Sequence, residues 1–129
     1  MMKWPRPATR FCFFFHILLF AFPLAAEEKI SSQEREFFEN KVRPLLSEKC
    51  YKCHSAGRKP PKAELYLDTR QGVLAGGESG PALVPGAPSK SLLIEAIRYE
   101  NPDLQMPPKK KLSAEQITVL EKWVRLGAP

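Results

Sequence analysis

Residues 50–54 read Cys50-Tyr51-Lys52-Cys53-His54, and the rest of the chain is best read outward from them. Two cysteines three positions apart project to the same side of a helical turn. The histidine that follows sets an imidazole beside the two thiols. Cys-x-x-Cys-His is the attachment signature of a c-type haem. The thiols of Cys50 and Cys53 suit addition to the two vinyl groups on one porphyrin edge, and His54 then turns under the ring to offer a nitrogen to iron. Three other readings of the same residues compete. A redox-active Cys-x-x-Cys opens a helix after a strand, whereas this one closes a helical pattern. Structural zinc takes four Cys or His ligands. A disulfide across Cys50 and Cys53 leaves unanswered how so short a chain fills its interior.

That interior is short of material. The sequence has 129 residues, enough for one domain and too few for a multidomain enzyme or a transporter. Its front end reads as an address. Residues 1–10 carry Lys3, Arg6 and Arg10 with no acid, residues 11–22 (FCFFFHILLFAF) are almost wholly apolar, and Leu24-Ala25-Ala26 precede Glu27-Glu28. This is the layout of a secretory signal peptide. A membrane-spanning helix needs about 20 apolar residues, more than this stretch offers. The reading is a cleavable signal over 1–26 and a single domain over 27–129, exported by the general secretory route to the periplasm or another extracytoplasmic space and soluble after cleavage. The formal charge of +6 falls to +3 once the three cations of the signal are removed, which does not indicate nucleic-acid binding. After Ala26 only 25 of 103 residues are Leu, Ile, Val, Phe, Trp or Met. Small exported domains with thin cores usually add a disulfide, a metal or a cofactor, and two cysteines make no disulfide framework.

The sixth iron ligand can be argued by elimination, against the competing reading of Met106 as a core gap-filler. His54 is the only histidine after residue 26, so two histidines cannot come from one chain. Met106 is the only methionine after residue 26. It lies in a proline-stiffened loop, Leu104-Gln105-Met106-Pro107-Pro108, suited to holding a weak thioether ligand. His/Met ligation raises the reduction potential and fills both axial positions, which favours electron transfer over oxygen activation.

The flanking pattern is helical and loop-rich. Ser31 and Glu34 form a capping box, with Phe38, Val42, Leu45 and Leu46 on one face and a bend expected at Arg43–Pro44, the helix resuming to about Cys53. Leu65 and Leu67 alternate in an extended piece, and Asp68 is expected to cap a short helix through Leu74. In the Gly- and Pro-rich stretch 76–89, Ala82, Leu83 and Val84 are expected to tuck inward. Ser89 is expected to cap a helix bearing Leu92, Leu93, Ala96 and Ile97. Ser113 and Gln116 form a second capping box before Ile117, Leu120, Trp123 and Val124, and Phe38 is expected near Trp123 where the first and last helices cross.

The ordered set Phe37-Phe38, Val42-Arg43-Pro44-Leu45-Leu46, Cys50 to His54, Leu65 to Arg70, Gly76 to Gly86, Ser91-Leu92-Leu93, Met106-Pro107-Pro108 and Leu120 to Trp123 resembles the class I cytochrome c family, most closely its planctomycete-type domain, over about residues 36–129. The resemblance implies an all-α, class I cytochrome c-like fold wrapped around one covalent haem c. It also implies attachment at Cys50 and Cys53, iron ligands His54 and Met106, and an electron carrier rather than an enzyme. In that family the domain usually heads a longer chain, so this one is expected to be either a stand-alone carrier or a piece of a larger protein. Arg70 and Arg98 are candidates for the haem propionates, since guanidinium pairs with carboxylate. Lys109-Lys110-Lys111 are candidates to steer an acidic redox partner. A haem-based sensor, or a haem-tethering module of a larger extracytoplasmic enzyme, is the alternative. A peroxidase-like enzyme needs an open iron site and a distal acid–base residue, for which no second histidine is at hand.

Overall fold

Hydroxyl side chains mark where the helices begin. In the computed structural model, which describes residues 1–2 and 30–129, Ser31 caps helix α1 (Ser32–Phe37): its side chain accepts from Glu34 N, and the Glu34 carboxylate accepts from Ser31 N in return. The signal-peptide reading of residues 1–26 lies outside the described residues. Directly before Arg43–Pro44, where a bend is expected, the helix widens into a π-helical turn over Phe38–Val42, in which Arg43 N reaches back five residues to Phe38 O. Proline removes a donor and crowds the carbonyl four residues before it, and a wide turn is a common way to absorb such a defect. Helix α2 (Arg43–Lys49) continues with Pro44 in its first turn. It stops at Lys49, so Cys50–Cys53 form turns rather than the helix's last residues.

Helix α3 (Arg70–Ala75) is capped by Thr69, whose side chain accepts from Gly72 N. The expected cap, Asp68, is occupied elsewhere: its Oδ2 accepts from Ala56 N at 2.9 Å. Helix α4 (Leu92–Arg98) is preceded by a 3-10 turn, Pro88–Lys90, so it starts at Ser91 rather than Ser89. The buried Ser91 hydroxyl accepts from Val84 N at 3.0 Å and donates to Ala87 O at 2.9 Å. That pull brings Ala82 and Leu83 into the core but leaves Val84 39% exposed, against expectation. Helix α5 (Ala114–Arg125) opens with the Ser113–Gln116 capping box, and such a cap contributes about 1 kcal/mol.

The core joins Val42, Leu45 and Leu46, then Leu67, Val73, Ala82 and Leu83, with Leu93, Ile94 and Ile97 of α4 and Leu120, Trp123 and Val124 of α5. Each full burial of such an aliphatic side chain contributes roughly 1.5–3 kcal/mol. Phe38 and Trp123 meet with ring centroids 6.0 Å apart, where the N-terminal helix and α5 cross. Among the described residues there is no strand, only an isolated bridge between Gly77 and Gly80, and no helix is long and apolar enough to cross a membrane.

Candidate functional site

The end of α2 starts the site. Cys50 N closes onto Leu46 O, and the next turn is held by Cys53 N and His54 N, both donating to Cys50 O at 3.1 and 3.0 Å. The chain then loops out and returns along this turn. Lys62 N donates to Cys53 O at 2.9 Å, and Leu67 N donates to His54 O at 2.8 Å. These bonds fix the backbone of the pentapeptide from both sides.

The result is a cleft of about 350 Å³ whose wall includes Cys50, Cys53, His54 and Met106. Leu65, Leu67, Leu93 and Ile97 supply apolar surface to the same cleft. Tyr51 and Lys52, between the two cysteines, are not part of its wall. Tyr51 instead enters a second recess with Asp68 and Trp123, where burial, and next the Asp68 charge, push its phenol pKa up.

The state of each donor suits covalent haem attachment. The two cysteines are free, so no disulfide joins them. Burial, with a smaller contribution from Cys53, pushes the Cys50 thiol up to about 11, so the free thiol is an S–H group at pH 7. His54 Nδ1 lies 3.0 Å from Lys62 O. A carbonyl can only accept, so Nδ1 carries the proton and Nε2 keeps the lone pair a metal takes. Burial lowers the His54 pKa and the Lys62 charge adds to this, against the opposing effect of the carbonyl bond, so the ring is neutral at pH 7. Among the described residues no three His, Cys, Asp or Glu side chains gather as a metal cage.

Two glycines shape the opposite lip. Gly76 takes φ +77°, and a Cβ there would fall 1.8 Å from Gly80 O. At Gly77 a Cβ would fall 2.2 Å from Ala63 O. Their absence lets the 76–80 turn close against Lys62–Glu64, with Glu78 N donating to Ala63 O at 2.9 Å.

The two arginines expected at the propionates are engaged elsewhere. The exposed Arg70 donates to Gly127 O at 3.1 Å and also to Ala128 O, tying α3 to the C-terminal turn. Arg98 pairs with Glu121 at 2.7 Å, joining α4 to α5. Neither lines the cleft. The cations on the cleft wall are Lys49 and Lys62. The Lys62 carbonyl was the functional group missed by sequence reasoning, because a main-chain oxygen leaves no trace in residue type.

No curated protein and no solved structure matches the chain. A family model does: that described as Planctomycete cytochrome C matches residues 50–110, from the first cysteine of the pentapeptide to the lysines beyond Met106. That segment contains all four donors of the cleft and the two turns that close over it, and over it the chain is similar to the planctomycete cytochrome C family.

Proposed function

We propose that this chain is an exported electron carrier with one haem c, held through thioethers at Cys50 and Cys53 and ligated by His54 and Met106. The observation that carries the reading is the convergence of two thiols, one imidazole and one thioether on a single apolar cleft. When bound, haem supplies the reversible one-electron couple of its iron. The chain's own residues do the rest. The Lys62 carbonyl holds His54 in the tautomer that frees Nε2. Leu65, Leu67, Leu93 and Ile97 keep water from the cleft wall. Met106 N donates to Ala96 O at 3.0 Å, which anchors the loop bearing the thioether.

The family supports haem binding and electron transfer, and the signal-like residues 1–26 support a periplasmic or other extracytoplasmic location. Lys109, Lys110 and Lys111 follow the Met106 loop and are exposed, so an acidic redox partner fits this face. Neutralising all three should slow electron transfer at low ionic strength and matter little at high salt. Equal rates at both ionic strengths would remove the docking role.

The central test is expression with a c-type haem maturation system, followed by a pyridine haemochrome spectrum and a haem-stained denaturing gel. Covalent haem of the two-thioether type is expected. A folded, colourless product refutes the reading. A second reading, a haem-based sensor, requires that Met106 yield its place to a gas or another ligand. Rapid, complete carbon monoxide binding by the ferrous protein would favour sensing, and resistance to it would favour a carrier.

A further inference from the structure

Helix α4 ends on an unusual residue. Its C-terminal cap, Tyr99, has φ +61° and ψ +27°, a left-handed conformation normally given to glycine at helix ends. A tyrosine in that position carries a backbone penalty, and its side chain shows what is gained. The Tyr99 hydroxyl donates to Pro107 O, the carbonyl of the residue directly after Met106. Residues 95–99 hold the following loop at two further points. Asn101 Nδ2 donates to Glu95 Oε1 at 3.1 Å, and Met106 N donates to Ala96 O at 3.0 Å. The Met106 amide and the Pro107 carbonyl are therefore both tied to the last turn of one helix, while the Met106 side chain lines the cleft.

We infer that Tyr99 is a positioning residue for Met106: its hydroxyl, by holding Pro107 O, keeps the thioether presented to the cleft. This rests on the proposed ligation by Met106. A residue that only terminated α4 would be served as well by glycine. A residue that only packed the loop would not need its hydroxyl. Lys111 Nζ sits 5.7 Å from the Tyr99 ring centroid, so the same side chain also touches the far end of the loop, and that contact needs its own control.

The test is imidazole titration of the ferric holoprotein, because imidazole binds iron only where Met106 yields. Tyr99→Phe should raise the apparent imidazole affinity roughly fivefold, the factor lost with one neutral hydrogen bond, and should weaken the sulfur-to-iron band near the red edge of the spectrum. Lys111→Gln should change the affinity less than twofold. Should Tyr99→Phe not be recovered as holoprotein, Tyr99→Asn replaces it, since asparagine tolerates the left-handed backbone, and the same gain is expected. An unchanged imidazole affinity in a haem-loaded Tyr99 variant overturns the assignment, even if its thermal stability falls. An equal gain from Lys111→Gln also overturns it, since the ring contact and not the hydroxyl would then be responsible. Wild-type protein without covalent haem overturns the underlying haem reading instead, so the two failures are distinguishable.

Discussion

Substituting Gly77 by alanine should disturb His54 without touching it. Gly77 has no left-handed backbone to strain, so the effect is steric alone. The added Cβ would lie 2.2 Å from Ala63 O, 3.0 Å from Leu65 Cβ and 3.2 Å from Leu65 N, where real contacts essentially never fall below 3.0 Å. The Ala63 carbonyl must therefore retreat by close to 1 Å, and the Lys62 carbonyl, one peptide away, moves with it. Its bond to His54 Nδ1, now 3.0 Å, would lengthen toward roughly 4 Å, outside hydrogen-bonding range. Overpacking of this kind costs about 1–3 kcal/mol, and the lost bond adds about 1 kcal/mol, so Gly77→Ala should destabilise the holoprotein by about 2–4 kcal/mol. Urea unfolding followed by far-ultraviolet circular dichroism measures this. The Soret band reports the altered iron ligation in the same samples. Gly57→Ala is the control: its Cβ would meet Ser55 Oγ at an ordinary 3.5 Å, and surface changes of this sort stay within about 0.5 kcal/mol. If Gly77→Ala unfolds at the same urea concentration as Gly57→Ala, the claimed coupling between the glycine turn and the imidazole is wrong.

Three other substitutions separate structural from functional roles. Arg70→Gln should lower unfolding stability by about 1–2 kcal/mol through its lost carbonyl contacts, with faster amide exchange at Gly127 and Ala128, yet leave the reduction potential unchanged; a shifted potential would restore Arg70 to the haem. Glu121→Gln weakens the pairing with Arg98 and should cost about 1 kcal/mol, read by thermal melting, with the α4–α5 contact loosened first in hydrogen exchange. Ser113→Ala should cost about 1 kcal/mol and fray the first turn of α5, visible as early exchange at Gln116 N.

Legibility in the sequence tracks how far an interaction reaches. The capping boxes at Ser31–Glu34 and Ser113–Gln116 span three residues, and both stand in the structure as read. The nearness of Phe38 and Trp123 was also legible, because two amphipathic helices must cover one another's apolar faces. Neighbouring cap candidates were not separable. Asp68 and Thr69 can both cap α3, and the choice fell to Thr69 because Ala56 N claims the Asp68 carboxylate from twelve residues away. Ser89 falls inside a 3-10 turn, and Ser91, which takes the N-cap position, turns its hydroxyl to Val84 N and Ala87 O rather than capping α4. The partners of Arg70 were not legible, because they lie more than fifty residues downstream on carbonyl oxygens, and a backbone acceptor can be supplied by any residue. The four residues singled out for the cleft carry distinctive side-chain chemistry, and the structure brings them to one cleft. What orients them, the Lys62 carbonyl and the Tyr99 hydroxyl, depends on a fold that no local pattern specifies.

The wide turn at Phe38–Val42 also governs what kind of change the N-terminal helix tolerates. One residue corresponds to about 100° of rotation in a regular helix. The extra residue in this turn sets the phase of everything before it: Phe37 comes to lie 4.7 Å under Lys122 Nζ while Phe38 faces Trp123, adjacent positions on one partner helix. Glu39, Asn40 and Lys41 are all exposed, so their chemical identity is free to drift. Their number is constrained by the five-residue span from Phe38 O to Arg43 N: deleting one of them would restore the four-residue spacing of a regular turn and leave Pro44 facing the carbonyl four residues before it with no wide turn to absorb the clash.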